Sequence, residues 1–256
     1  MIRSASGRRR TSGGSWIFPV ILLITVGTAI ALATGTGPLQ LWMFVFVLGG
    51  WTITLCLHEF AHAAISLAGG DTSVRERGYL TLNLLRYTDP TNSFIIPLLV
   101  LVIGGIPLPG GAVLVEPGRL RYRWWSSLVS AGGPAVNLLS GVVLALVAAP
   151  MTSPLGAAVA FLALLQFFAG ILNLLPIPGF DGFGVITPYL PAAFLRSIAP
   201  FRQWAPLAVF VILFSVPTAR NWLWDASWNL YQGAGGDVRL AIAGLDLFPN
   251  LQNLNW

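Results

Sequence analysis

Leu57-His-Glu-Phe-Ala-His62 sets two histidines four residues apart, with a glutamate beside the first. On a helix such positions share a face, so both imidazoles can grip one metal ion. Glu59 then stands where a general base belongs, ready to take a proton from the attacking water. A zinc ion lowers the pKa of such a water to about 7. The pattern is short, and its setting sharpens it. His58 and His62 are the only histidines in 256 residues, and Glu59 is one of three glutamates. The bland alternative is a pair of buried histidines bonded to neighbouring helices, with Glu59 as their counter-ion.

A zinc site built for hydrolysis wants three protein ligands and one open position. With no histidine left, the third must be Asp, Glu or Cys. Cys56, two residues before His58, points to the opposite side of a helix and reads as small buried filler. Asp181 is the best candidate, being the only acid between Glu116 and Asp225. An ordinary Asp-Gly turn at a helix end is its alternative. Asn137 and Asn173 are amides inside apolar runs. Each can contact substrate or bond between helices, and their types and positions leave both roles open.

The elements that must position these residues are membrane helices. Only 9% of the chain is charged, against roughly a quarter in an ordinary soluble domain. Apolar residues make up 55%, and the mean hydropathy is +0.76. A soluble fold of this length needs a charged exterior that this chain lacks. All 14 basic residues are arginine, and the net charge of +5 marks a membrane side rather than a nucleic-acid partner. The single cysteine rules out an intramolecular disulfide.

The runs predict an all-α polytopic membrane protein with about five transmembrane helices: 16–34, 41–68, 127–149, 156–175 and 204–217. Residues 71–92 read as a polar loop with a short strand over Tyr79–Leu82. The apolar stretch 94–106 reaches roughly 20 Å as a helix, short of a roughly 30 Å hydrocarbon core. A re-entrant or shallow segment near 94–110 is therefore expected. With that topology 12 of 14 arginines fall on the side of the N-terminus, the cytoplasmic side by the positive-inside rule. Residues 1–15 read as a disordered basic cytoplasmic lead. Residues 16–220 read as the membrane-embedded catalytic domain, with its core at 41–190. Residues 221–256 read as a non-cytoplasmic interfacial tail rich in Trp. An ionisable cluster inside such a bundle is functional by default. The backbone at Pro176-Ile-Pro-Gly-Phe-Asp-Gly182 is irregular, which membrane depth tolerates only against protein or a watery cavity.

His58-Glu-Phe-Ala-His62, Gly132-Gly-Pro-Ala-Val-Asn137 and Asn173-Leu-Leu-Pro-Ile-Pro-Gly-Phe-Asp-Gly182 together resemble the signatures of the site-2 protease family of intramembrane zinc metalloproteases. The match runs from about residue 41 to 190, and the motif Asn-x-x-Pro-x-x-x-x-Asp-Gly is complete. Leu80–Pro90 resembles a compact prokaryotic branch, in which the position of Tyr87 is often His. The resemblance implies zinc on His58, His62 and Asp181, with Glu59 activating water. It implies that Asn173 holds the substrate strand or the developing oxyanion. It implies a single-span transmembrane protein as substrate, an anti-sigma factor being one kind, cut within the bacterial cytoplasmic membrane. No stretch is polar and long enough for the PDZ or CBS domains that many members carry. A silent scaffold that kept the site is one alternative. A metal-ion transporter is another, although the repeated halves common in transporters are not visible.

Overall fold

Glycines and prolines set where each apolar run ends. The computed structural model describes residues 16–83, 116–202 and 204–249. Helix α1 spans Ile17–Thr34 and stops where Gly35 turns left-handed at φ 66°, a conformation open to a residue without Cβ. Helix α2, Leu39–Gly69, ends the same way at Gly70, φ 112°. The polar loop after it begins with a four-residue helix α3, Ser73–Glu76. The expected strand over 79–82 does not form, and the chain bends there instead. Tyr79 turns inward against Leu55, Cys56, Ala63 and Val74. Its burial thus serves helix packing and not a sheet ladder.

Helix α4 covers Arg123–Ala148 and α5 covers Pro154–Asn173. Five shorter helices follow: α6 Asp181–Ile186, α7 Ala192–Ile198, α8 Ala205–Ser215, α9 Pro217–Gly233 and α10 Val238–Leu247. Among the described residues no strand occurs. Four helices, α1, α2, α4 and α5, are long and apolar enough to cross a membrane. This is an integral membrane protein. The expected final span at 204–217 holds only 11 helical residues, about 16 Å of helix. It can cross only with the preceding segment, Ala192–Phe201, which it meets at 64°. The described residues therefore hold four spans, or five if this bent pair crosses as one. The lead 1–15, Tyr87 and the segment 94–110 lie outside the described residues.

Helix α5 is the axis of the bundle. It is mostly apolar all round, as suits a helix surrounded by protein, and α4, α2, α9 and α10 pack around it. Neighbouring registers give the directions. Asn137 of α4 lies against His58 while Val129 lies against His62, so α4 runs antiparallel to α2. Gly50 of α2 faces Leu162 of α5, and Trp51 to Leu55 share a cavity with Ala169 and Asn173, so α2 and α5 run parallel. The later helices are part of this core. Tyr231 of α9 is wholly buried and donates to the Asp237 carbonyl at 3.0 Å. Gly244 of α10 lets that helix close on Ala157 and Phe161 of α5. Of the aromatics expected at an interface, Trp222 is exposed, whereas Trp224 stacks on Phe168.

The ends of α2 and α4 nearest the site are stitched together by one buried carboxylate. Asp71 accepts from Ser73 N (3.0 Å), Ser73 Oγ (2.6 Å) and Glu116 N (3.0 Å). Arg121 N donates to the Gly69 carbonyl at 2.9 Å. Burial alone would raise the Asp71 carboxyl, but these donors hold it below its ordinary value. Its stabilising contribution is therefore complete above the unfolded-state pKa of about 3.9 and lost as pH falls through the lower folded-state value. Asp71→Ala should destabilise the detergent-solubilised protein by about 2 kcal/mol at pH 7, read as a lowered Tm. The gap between variant and wild type should shrink on acidification below about pH 4.

Candidate metal centre

The spacing of four that joins His58 to His62 is matched on the facing helix. Val129, Gly133 and Asn137 of α4 also recur every four residues and line the side turned to the two histidines. His62 Nδ1 donates to the Val129 carbonyl at 2.6 Å. That carbonyl sits just before the point where Pro134, lacking an N–H, interrupts the ladder of α4. His58 Nδ1 donates to Asn137 Oδ1 at 2.5 Å. With both Nδ1 atoms committed as donors, both Nε2 lone pairs turn the same way. Such outer partners are what orient metal-binding histidines.

Asp181 arrives from the other side. The chain leaves α5 at Asn173, turns through the two prolines, and reverses at Gly179, φ 97°, beneath Pro206 of α8. Asp181 opens α6, which is docked on α4 by Ser127 Oγ donating to the Val185 carbonyl at 2.7 Å. Arg123 also donates to the Pro188 carbonyl. Gly182 and Gly184 permit this approach, since a Cβ at either would strike Leu174 or Ser130. The docking of α6 brings the Asp181 carboxylate to 3.3 Å from His58 Nε2 and 3.5 Å from His62 Nε2.

The two Nε2 atoms are 3.1 Å apart. Asp181 presents Oδ2 to His58 and Oδ1 to His62, so two imidazole nitrogens and one carboxylate face one another across 3.1–3.5 Å. Two histidine nitrogens and a carboxylate oxygen are a ligand set that suits zinc. Space agrees with chemistry. A Cβ at Gly133 would fall well within 3.0 Å of both Nε2 atoms, so the glycine leaves the hollow that an ion would occupy. Among the described residues, His58, His62 and Asp181 form the group able to hold a metal. Cys56 is outside it, buried toward Tyr79 and Val74.

The histidines and Glu59 are almost fully enclosed, while a quarter of the Asp181 side chain is exposed. The group therefore opens on the Asp181 side. A cavity of about 10 Å³, room for one water at most, lies beside His58. Asn137 and Asn173 both line it. All six residues predicted from the sequence are thus on elements that meet at this point. Both ends of the Asn137 amide are engaged, Oδ1 with His58 and Nδ2 with Gln166 Oε1 at 2.8 Å. Two contributors carried little signal in the sequence. Gly133 stood only as a letter of a signature, and Gln166 only as a polar residue in an apolar run.

Relatives agree with this geometry. A Mycobacterium tuberculosis protein named "Putative zinc metalloprotease Rip2" is 41% identical over 254 residues, covering 94% of this chain and 95% of the relative. The Mycolicibacterium smegmatis protein of the same name is 39% identical over 244 residues, covering 92% and 93%. "Putative zinc metalloprotease YwhC" of Bacillus subtilis is 29% identical over 188 residues, 67% of this chain and 81% of the relative. No protein-family profile matches the chain, and no solved structure does.

The hollow at Gly133 makes a sharp prediction. Gly133→Ala adds one methyl to a helix that tolerates alanine well, yet it should remove zinc from the purified protein. Metal analysis should fall from about one zinc per chain to a small fraction of that, with the helical circular dichroism unchanged.

Proposed function

The chain belongs to the site-2 protease family of zinc metalloproteases, and on that premise we propose that it is an intramembrane endopeptidase cutting the membrane segments of single-span proteins. The observation that supports this most is the convergence of two histidine nitrogens and one carboxylate among helices long enough to span a bilayer. His58, His62 and Asp181 would hold the zinc, which when bound would supply a Lewis acid and lower the pKa of water to near neutral. Glu59, enclosed beside His58, takes the proton of the attacking water and delivers it to the leaving amine. Peptide hydrolysis then balances: water adds across the amide bond, and no other reactant is needed.

Asn173 is the amide we assign to substrate. It lines the cavity next to His58, where it can hold an extended strand or the developing oxyanion. The substrate segment unwinds and lies along the irregular stretch 174–180 in the manner of an added strand. Asn137 belongs with the ligands instead, because its carbonyl holds His58.

The distribution of arginines supports an N-terminus and a site toward the cytoplasmic face of a bacterial cytoplasmic membrane. Released fragments would then enter the cytoplasm. A membrane-bound inhibitor of a sigma factor is a fitting substrate, since its destruction frees the regulator.

Glu59→Gln should lower cleavage of a reconstituted single-span substrate by about 10²- to 10⁴-fold, the range for a lost general base. It should retain zinc. Asp181→Ala should lose both zinc and cleavage. Undiminished cleavage by Glu59→Gln would exclude the proposed chemistry.

A further inference from the structure

The two histidines reach the same end by unequal means. His62 Nδ1 meets a backbone carbonyl, which can only accept. Its proton therefore stays on Nδ1, and Nε2 keeps its lone pair. His58 Nδ1 meets a side-chain amide, which has two faces. An asparagine can turn its carbonyl toward the ring and accept, or turn its NH2 and donate. In the second case the His58 proton moves to Nε2, and the lone pair that a metal needs is gone. Asn137 by itself does not decide between them.

In the structure Gln166 Oε1 accepts from Asn137 Nδ2 at 2.8 Å, the arrangement in which the Asn137 carbonyl faces His58. Gln166 sits wholly buried near the middle of the bundle's axial helix, and its own Nε2 finds no acceptor among the described residues. An unsatisfied buried donor costs about 1–3 kcal/mol. A residue kept merely for packing here would be apolar, like its neighbours Leu164, Leu165, Phe167 and Phe168, which are also buried. The cost is explained if the glutamine is retained for the acceptor it presents to Asn137.

We propose that Gln166 is a positioning residue for the metal site, holding the Asn137 amide where its carbonyl meets His58 Nδ1. The proposal rests on the zinc reading of His58, His62 and Asp181. It adds a third layer to the site: ligand on α2, amide on α4, second amide on α5. It also gives α5 a reason to carry an amide midway along an otherwise apolar helix.

A double-mutant cycle on the full-length protein tests it, with zinc affinity measured by competition against a chromophoric chelator and the cobalt-substituted absorption spectrum recorded alongside. Gln166→Leu should weaken zinc binding by about 10- to 100-fold, the range for losing an outer partner of a metal-bound histidine. Asn137→Asp supplies a carboxylate that can only accept from His58, so Gln166 becomes dispensable. In that background Gln166→Leu should change affinity by less than about threefold, a strong departure from additivity. Should the leucine variant fail to fold, Gln166→Met fills the same space without the amide acceptor. Wild-type affinity and an unaltered cobalt spectrum in Gln166→Leu would overturn the proposal. So would an equal loss in the Asn137 and Asn137→Asp backgrounds, which marks a packing defect. A wild-type protein without zinc affinity would instead remove the reading beneath it.

Discussion

His58 and His62 can turn their Nε2 atoms to one point only if each gives its Nδ1 proton to something else. Inside a bundle the protein itself must supply that partner, because a buried polar group without one is costly. The neighbouring helix must therefore supply an acceptor for each. α4 does so with a carbonyl at Val129 and an amide at Asn137. This requirement fixes the antiparallel register of α2 and α4. It also brings in α5, because the amide at Asn137 needs a partner of its own at Gln166.

Close approach follows from the same need. Imidazoles reach the facing backbone only if little stands between the helices, and small residues line the contact, as is common in membranes. Gly132 leaves room for Ile65, Gly133 for the site itself, and Gly141 for Phe167 of the axial helix. On the far side, Gly182 and Gly184 let α6 settle against Leu174 and Ser130. The carboxylate of Asp181 is thus delivered by a rigid turn and a docked helix, with α8 buttressing the turn at Gly179. The site is preorganised by packing on every side except the one where Asp181 meets solvent.

The ligands were readable from the sequence because chemistry restricted the choice. Two histidines four apart on a helix have one shared face, and Asp181 was the best-placed acid in a long uncharged stretch. Asn137 and Asn173 were visible as amides in apolar runs, but one-dimensional spacing does not say which helix a side chain meets. The Val129 carbonyl was invisible, since every residue has one. Gly133 was legible only through the resemblance, and its purpose appears only when α4 is laid against α2. The four long spans followed from hydropathy. A fifth follows only if Ala205–Ser215 crosses together with Ala192–Phe201, because Pro206 and Pro217 bracket an apolar run too short to cross alone. Tyr79–Leu82 read as a short strand but packs as a bend under α2. The tail's aromatics suited an interface, yet Tyr231 and Phe248 fill the core around α5.

Zinc K-edge X-ray absorption of the purified protein tests the central claim most directly. Ligation by His58, His62 and Asp181 predicts a shell of nitrogen and oxygen at about 2.0–2.2 Å, with imidazole outer-shell scattering from two rings. A sulfur shell at about 2.3 Å, which only Cys56 or a methionine could supply, would contradict it, as would a spectrum without imidazole features.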